Sequence, residues 1–148
     1  MRRRNLLQLA LALTPASLLA TRAQAATPGT PDAAKVAYHL SDLDKVDFVL
    51  GNIANHYKGM GGPENVTIAL VIHGPALKAF HTTGASPDVA KRTADFSKSG
   101  LQLYACINTM RAQNVTLEDL LPGFAVADKG GVVRLAQLQA QGYAYLRP

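Results

Sequence analysis

Val66 to Ile72 is an almost unbroken apolar run of seven residues, rich in β-branched side chains. A run so short and so apolar suits a strand covered on both faces, as found inside a parallel sheet rather than at its rim. It is the expected central strand. From Lys35 onward, other short apolar runs alternate with amphipathic stretches, which is the pattern of βα units and a mostly parallel sheet.

The first strand is read at Lys35 to Leu40, followed by a capping box in which Ser41 accepts from the amide near Asp44. Asp42 and Asp44 then belong to capping rather than to acid and base work. Leu43, Val46, Val49 or Leu50, and Ile53 recur at helical spacing to about Tyr57, where Gly59, Gly61 and Gly62 stop the helix. After the central strand, His73-Gly74-Pro75 turns the chain, His81 to Ala85 forms a loop, and Ser86-Pro87-Asp88 opens a helix that runs to Gly100. Leu101 to Cys106 is the third strand, and Thr116 to Asp119 is a second capping box before a short helix, Leu117 to Leu121. Phe124 to Ala127 is the fourth strand, Gly130 to Gln141 a helix carrying Val133, Leu135 and Leu138, and Tyr143 to Leu146 the fifth strand after Gly142.

The N-terminus reads as an export address. Arg2, Arg3 and Arg4 precede the apolar stretch Leu6 to Leu13, and Ala23-Gln24-Ala25 offers a small-residue cleavage site, with the cut expected after Ala25. The stretch is interrupted by Thr14 and Pro15 and falls short of the roughly 20 apolar residues a membrane span requires, so no stable membrane anchor is expected. Arg3-Arg4-Asn5-Leu6-Leu7-Gln8 also resembles a twin-arginine signal, which leaves both export routes open. A periplasmic location is expected, with residues 26–34 as a flexible lead-in and 35–148 as one domain. Four of the 15 basic residues leave with the signal, and the remaining cations nearly balance 10 acidic groups. Bulk charge therefore gives no attraction for nucleic acid. Cys106 is the only cysteine, so no intramolecular disulfide forms even in an oxidising compartment.

In open parallel sheets, reacting groups collect beyond the carboxyl ends of the strands. His39, His73 and Cys106 stand at the ends of the first three strands, and neighbouring strands lie about 4.8 Å apart, close enough for one shared mouth. Ile107-Asn108-Thr109-Met110 then begins a helical turn whose free amides favour a thiolate at Cys106. In this reading Cys106 is the nucleophile, His39 or His73 stabilises its thiolate, and Asn108 or Thr109 orients it. The bland reading is a packed cysteine and two hydrogen-bonded neutral imidazoles. A third reading is a zinc or copper site at His39, His73 and Cys106, although these ligands lack any short paired spacing. His56 and His81 are expected to face solvent. Gly59-Met60-Gly61-Gly62 precedes a strand instead of opening a helix, so no phosphate cradle and no cofactor are expected.

Lys35-Val36-Ala37-Tyr38-His39-Leu40-Ser41-Asp42, Asn65 to Ile72 with His73-Gly74-Pro75-Ala76, the strand ending in Cys106 with Asn108 and Thr109, and Gly130-Gly131-Val132-Val133-Arg134-Leu135 before Gln141-Gly142-Tyr143 together resemble the DsrE/DsrF-like family. The resemblance spans most of Lys35 to Pro148 and is closest to an exported branch of that family. It implies a three-layer, Rossmann-like α/β fold: a five-stranded, mostly parallel sheet with helices on both faces. It also implies homo-oligomers such as trimers or hexamers. In the family's sulfur-relay members a cysteine after the third strand carries sulfur as a persulfide, and Cys106 is the position that corresponds. The function implied is thiol-based sulfur binding or transfer, with a sulfur donor or acceptor as partner. Two other readings stand beside it: a non-enzymatic metal or small-ligand protein, and an oligomeric interaction module.

Overall fold

The computed structural model describes residues 33–148. The expected signal, its cleavage point after Ala25 and lead-in residues 26–32 lie outside the described residues. The elements run β1 (Ala34–Leu40), α1 (Val46–Gly59), β2 (Val66–Ile72), α2 (Pro87–Lys98), β3 (Gln102–Cys106), α3 (Ile107–Ala112), β4 (Phe124–Ala127), α4 (Gly131–Ala140) and β5 (Ala144–Leu146). All strand pairs are parallel. The order β4-β3-β2-β1-β5 puts β2 in the middle, as its apolar run requires.

This order also decides which face each helix covers. From β1 to β4 the chain steps steadily toward one edge, and then it returns across the whole sheet to β5. Parallel crossovers keep one hand, so reversing the direction of travel moves the connecting helix to the opposite face. Accordingly Val36, Tyr38, Leu40, Ile68, Leu70, Ile72, Leu103 and Ala105 pack with α1, α2 and Met110 of α3 in the larger core. The alternate residues Ala37, Ala69 and Val71 pack against Leu135 and Leu138 of α4. Strand side chains alternate between faces, so α4 alone roofs the face that His39, Tyr104 and Cys106 share.

Each α-helix ends in the same way. In α1, Gly62 N–H reaches Tyr57 O (2.9 Å) and Gly61 N–H reaches Lys58 O (3.1 Å), the paired bonds of a Schellman motif. The same pairs recur after α2, α3 and α4, with Asn114 (φ 53°) as the non-glycine in the left-handed position.

Several local expectations are corrected. Ala34 already belongs to β1 rather than to the lead-in. Ser41 caps nothing: its hydroxyl donates to Asp42 (3.2 Å) and accepts from Arg147 (3.0 Å), because the C-terminal tail arrives beside it. The chain therefore enters α1 through a 3₁₀ turn at Leu43–Lys45, and Leu43 is left 47% exposed instead of joining the buried stripe. Pro75 starts a 3₁₀ helix, Gly74–Phe80. The Thr116–Asp119 box does form, with Asp119 accepting from the Thr116 amide (2.8 Å) and hydroxyl (3.0 Å). It caps a single 3₁₀ turn, because Leu120 leaves to bridge His81 and Leu121 bonds Phe80 O (2.9 Å). Val133 is 41% exposed and faces away from the sheet.

Candidate functional site

The register levels the three strand ends. His39 pairs with Val71, Ile72 with Ala105, and Cys106 with Ala127. His73 lies one residue beyond β2 with the parity of Val71, so His39, His73 and Cys106 all rise on the α4 side. The first turn of α4 closes over them. A Cβ placed on Gly131 would lie 3.3 Å from Cys106 Cβ and 3.4 Å from both Cβ and Cδ2 of His73. A side chain there would be more tightly packed than most, and glycine lets the helix backbone come this close without displacing its neighbours.

Cys106 is 6% exposed and passes directly into α3 as its N-cap residue. Burial pushes its thiol upward, but the Thr109 and Gly131 amides, the Thr109 hydroxyl and the Asn108 amide together outweigh that effect, and the thiol is held below its ordinary value. Two helix starts converge here, each supplying N–H groups with no partner in their own helix. The Thr109 hydroxyl accepts the Gly74 N–H at 2.9 Å. With that lone pair engaged, its single proton is available for the sulfur.

The imidazoles form a separate unit. His39 and His73 stack with ring centroids 4.6 Å apart and 28° between planes, and their Nε2 atoms share a hydrogen bond. His39 Nδ1 bonds the Tyr145 hydroxyl at 2.7 Å. Burial, then the facing His73, then Arg147 bring His39 down to about 4, with Asp42 opposing. His73 is lowered by burial and then by Arg147, again against Asp42. Both imidazoles are thus held below their ordinary value, so near neutral pH the pair is uncharged, and one of the facing Nε2 atoms donates to the other. A neutral pair supplies no cation for a thiolate. The groups that lower the Cys106 thiol are the backbone amides of Thr109, Gly131 and Asn108 and the Thr109 hydroxyl, and neither imidazole is among them.

Among the described residues, no group of three His, Cys, Asp or Glu side chains is placed to hold a metal ion. The zinc or copper reading at His39, His73 and Cys106 accordingly lacks a ligand set here. His56 and His81 are half-buried instead of facing solvent, with His56 Nδ1 on the Tyr38 hydroxyl (2.9 Å) and His81 Nε2 on Gln113 (2.9 Å). No described helix is long and apolar enough to cross a membrane.

Sequence reasoning missed Tyr145, Arg147 and Gly131. Tyr145 and Arg147 reach β1 only because β5 pairs there, with Tyr145 opposite Ala37. Nothing local announces that partner. Gly131 was legible as a helix start, and the second glycine of Gly130-Gly131 was the available signal of a close approach.

The family model for the DsrE/DsrF-like family matches residues 25–148. Among solved structures, the chain is similar to a protein of unknown function from Methanobacterium thermoautotrophicum, with 26% identity, a TM-score of 0.69 and coverage of 78% of this chain and 99% of that one. It shares its fold with a conserved protein of unknown function from Bacteroides thetaiotaomicron, at 18% identity and TM-score 0.57 over 77% of this chain and 94% of that one. It likewise shares the fold of the ychN protein from E. coli, at 11% identity and TM-score 0.54 over 77% of this chain and 99% of that one. No curated protein matches the chain.

Proposed function

The chain belongs to the DsrE/DsrF-like family, and on that premise we propose that it binds and passes on sulfane sulfur through Cys106. The Cys106 thiolate attacks the outer sulfur of a persulfide or thiosulfate donor. The donor's S–S bond breaks, its thiolate or sulfite departs with the bonding electrons, and a persulfide remains on Cys106. An acceptor thiolate then takes the outer sulfur and returns the Cys106 thiolate, so no external oxidant or reductant is consumed. Asn108 and Thr109 hold the anion in both states, and His39 and His73 border it as a neutral pair able to pass one proton. The observation that carries this reading is the position of Cys106 at the start of α3 with the first turn of α4 packed against it at Gly131, so that backbone N–H groups of two helix starts surround the thiol. We further propose that the protein works in the periplasm after cleavage at Ala25, as a homo-oligomer such as a trimer or hexamer.

Mass spectrometry after incubation with polysulfide or thiosulfate tests the assignment. The expected result is a gain of about 32 Da, one sulfur atom, that disappears in Cys106→Ser. An unmodified wild-type protein would rule it out. The small exposure of Cys106, 6%, favours a second reading, an interaction module whose cysteine is only packed. Native-state alkylation separates the two, since a merely packed thiol resists even a small reagent such as iodoacetamide.

A further inference from the structure

A hydrogen-bonded chain that ends on the Thr109 hydroxyl, three residues after Cys106, begins well outside the site. Gly74 donates its N–H to Thr109 Oγ1 at 2.9 Å, and its carbonyl accepts from Gln113 Nε2 at 2.9 Å. Gln113 Oε1 lies 2.9 Å from His81 Nε2. The chemistry of the groups settles every direction. The Gln113 amide nitrogen is committed to Gly74, so its oxygen must accept, and His81 carries its proton on Nε2. Thr109 and Gln113 are four residues apart at the end of α3, which puts them on one helical face. Together they clamp Gly74 from both sides of its α-carbon.

Gly74 is a residue on which such a clamp can act. Its φ is +60°, and a Cβ there would meet Ser41 O at 3.4 Å. The residue is intrinsically free to move among several conformations. Were it to move, the Thr109 hydroxyl would lose the N–H that occupies its lone pair. A helical threonine released in this way turns its proton back to the carbonyl four residues earlier, here Ala105. The outer end of the chain is open, because Gln113 and His81 line a groove of about 820 Å³ with Lys78, Leu43 and Val89.

We propose that Gln113 is a positioning residue for Cys106: it locks Gly74, Gly74 locks the Thr109 hydroxyl, and the hydroxyl proton is thereby held on the sulfur. This rests on the reading of Cys106 as the reactive thiol, but it is tested by the thiol's titration rather than by sulfur transfer, so the two fail separately. The measurement is the pH profile of Cys106 alkylation by iodoacetamide in the full chain. Gln113→Leu is expected to move the midpoint upward and slow alkylation at neutral pH by about 3- to 10-fold, since one pKa unit corresponds to tenfold. Thr109→Val should give a similar shift and Thr109→Ser should restore the wild-type profile. Adding Gln113→Leu to Thr109→Val should change nothing further, because both act through one hydroxyl. An unmoved midpoint in Gln113→Leu, or additive shifts in the double variant, overturns the proposal. Gln113→Asn, one methylene too short to reach Gly74, answers the same question if Gln113→Leu does not fold.

Discussion

The ends of β1 and β2 and the end of β3 stand side by side on one face of one sheet, yet they carry opposite chemistry. At β1 and β2 the backbone turns away into 3₁₀ segments, and the gap is filled by the C-terminal tail, which brings the Tyr145 hydroxyl and the Arg147 guanidinium. Burial and nearby positive charge keep both imidazoles neutral. At β3 the backbone passes straight into α3, and α4 starts beside it, so the thiol meets N–H groups that hold it below its ordinary value against the effect of burial. The carboxyl end of a parallel strand is therefore only an address. The segment into which the strand runs decides which charge that address accepts.

The largest test of this contrast is acid stability. An imidazole depressed by folding binds its proton more readily in the unfolded chain, so its contribution is complete above the unfolded value of 6.5 and is lost as pH falls toward about 4. For His39 the loss corresponds to about 3 kcal/mol. His73 titrates within the same pair and is not counted separately. Denaturant unfolding at pH 7 and at pH 4 should show the drop, and His39→Asn should shrink it. A stability that is flat across this window would break the assignment of a neutral pair.

Next in size is Gly131→Val. Its side chain would press on Cys106 and His73, costing about 1–3 kcal/mol as an overpacked contact. By pushing the α4 amide off the sulfur it should also slow Cys106 alkylation at neutral pH several-fold. The His39 titration, followed by NMR, should change less than the thiol's, since the added side chain meets His73 and Cys106 but not His39. If the His39 midpoint moves and the thiol does not, the contrast between the two strand ends fails.

Arg147→Ala should have the smallest effect on stability, within about 1 kcal/mol, since the Arg147 side chain is 50% exposed in its pair with Asp42. Its charge lowers both imidazoles, so their NMR midpoints should rise modestly while the alkylation profile of Cys106 stays in place. A shift of the thiol instead would join the two regions electrostatically.

Much of this was readable along the chain. Val66–Ile72 announced a central strand and is one, Phe124–Ala127 matches its expected bounds, and Thr116–Asp119 forms its box, because periodicity and capping act over a few residues. His39, His73 and Cys106 were correctly set at adjacent strand ends. Their division of labour was not readable. It depends on Gly131, Tyr145 and Arg147, which approach from distant parts of the sequence.

Local hydrogen bonding and the alternation of apolar side chains thus determined where the strands and helices lie, since those forces act between residues a few positions apart. The order of the sheet, the face taken by α4 and the pairing of β5 with β1 were decided only when the whole chain packed. Ser41 shows the difference in one residue. Its neighbours offered it a helix to cap, and Arg147, remote in sequence but adjacent in space, took its hydroxyl instead.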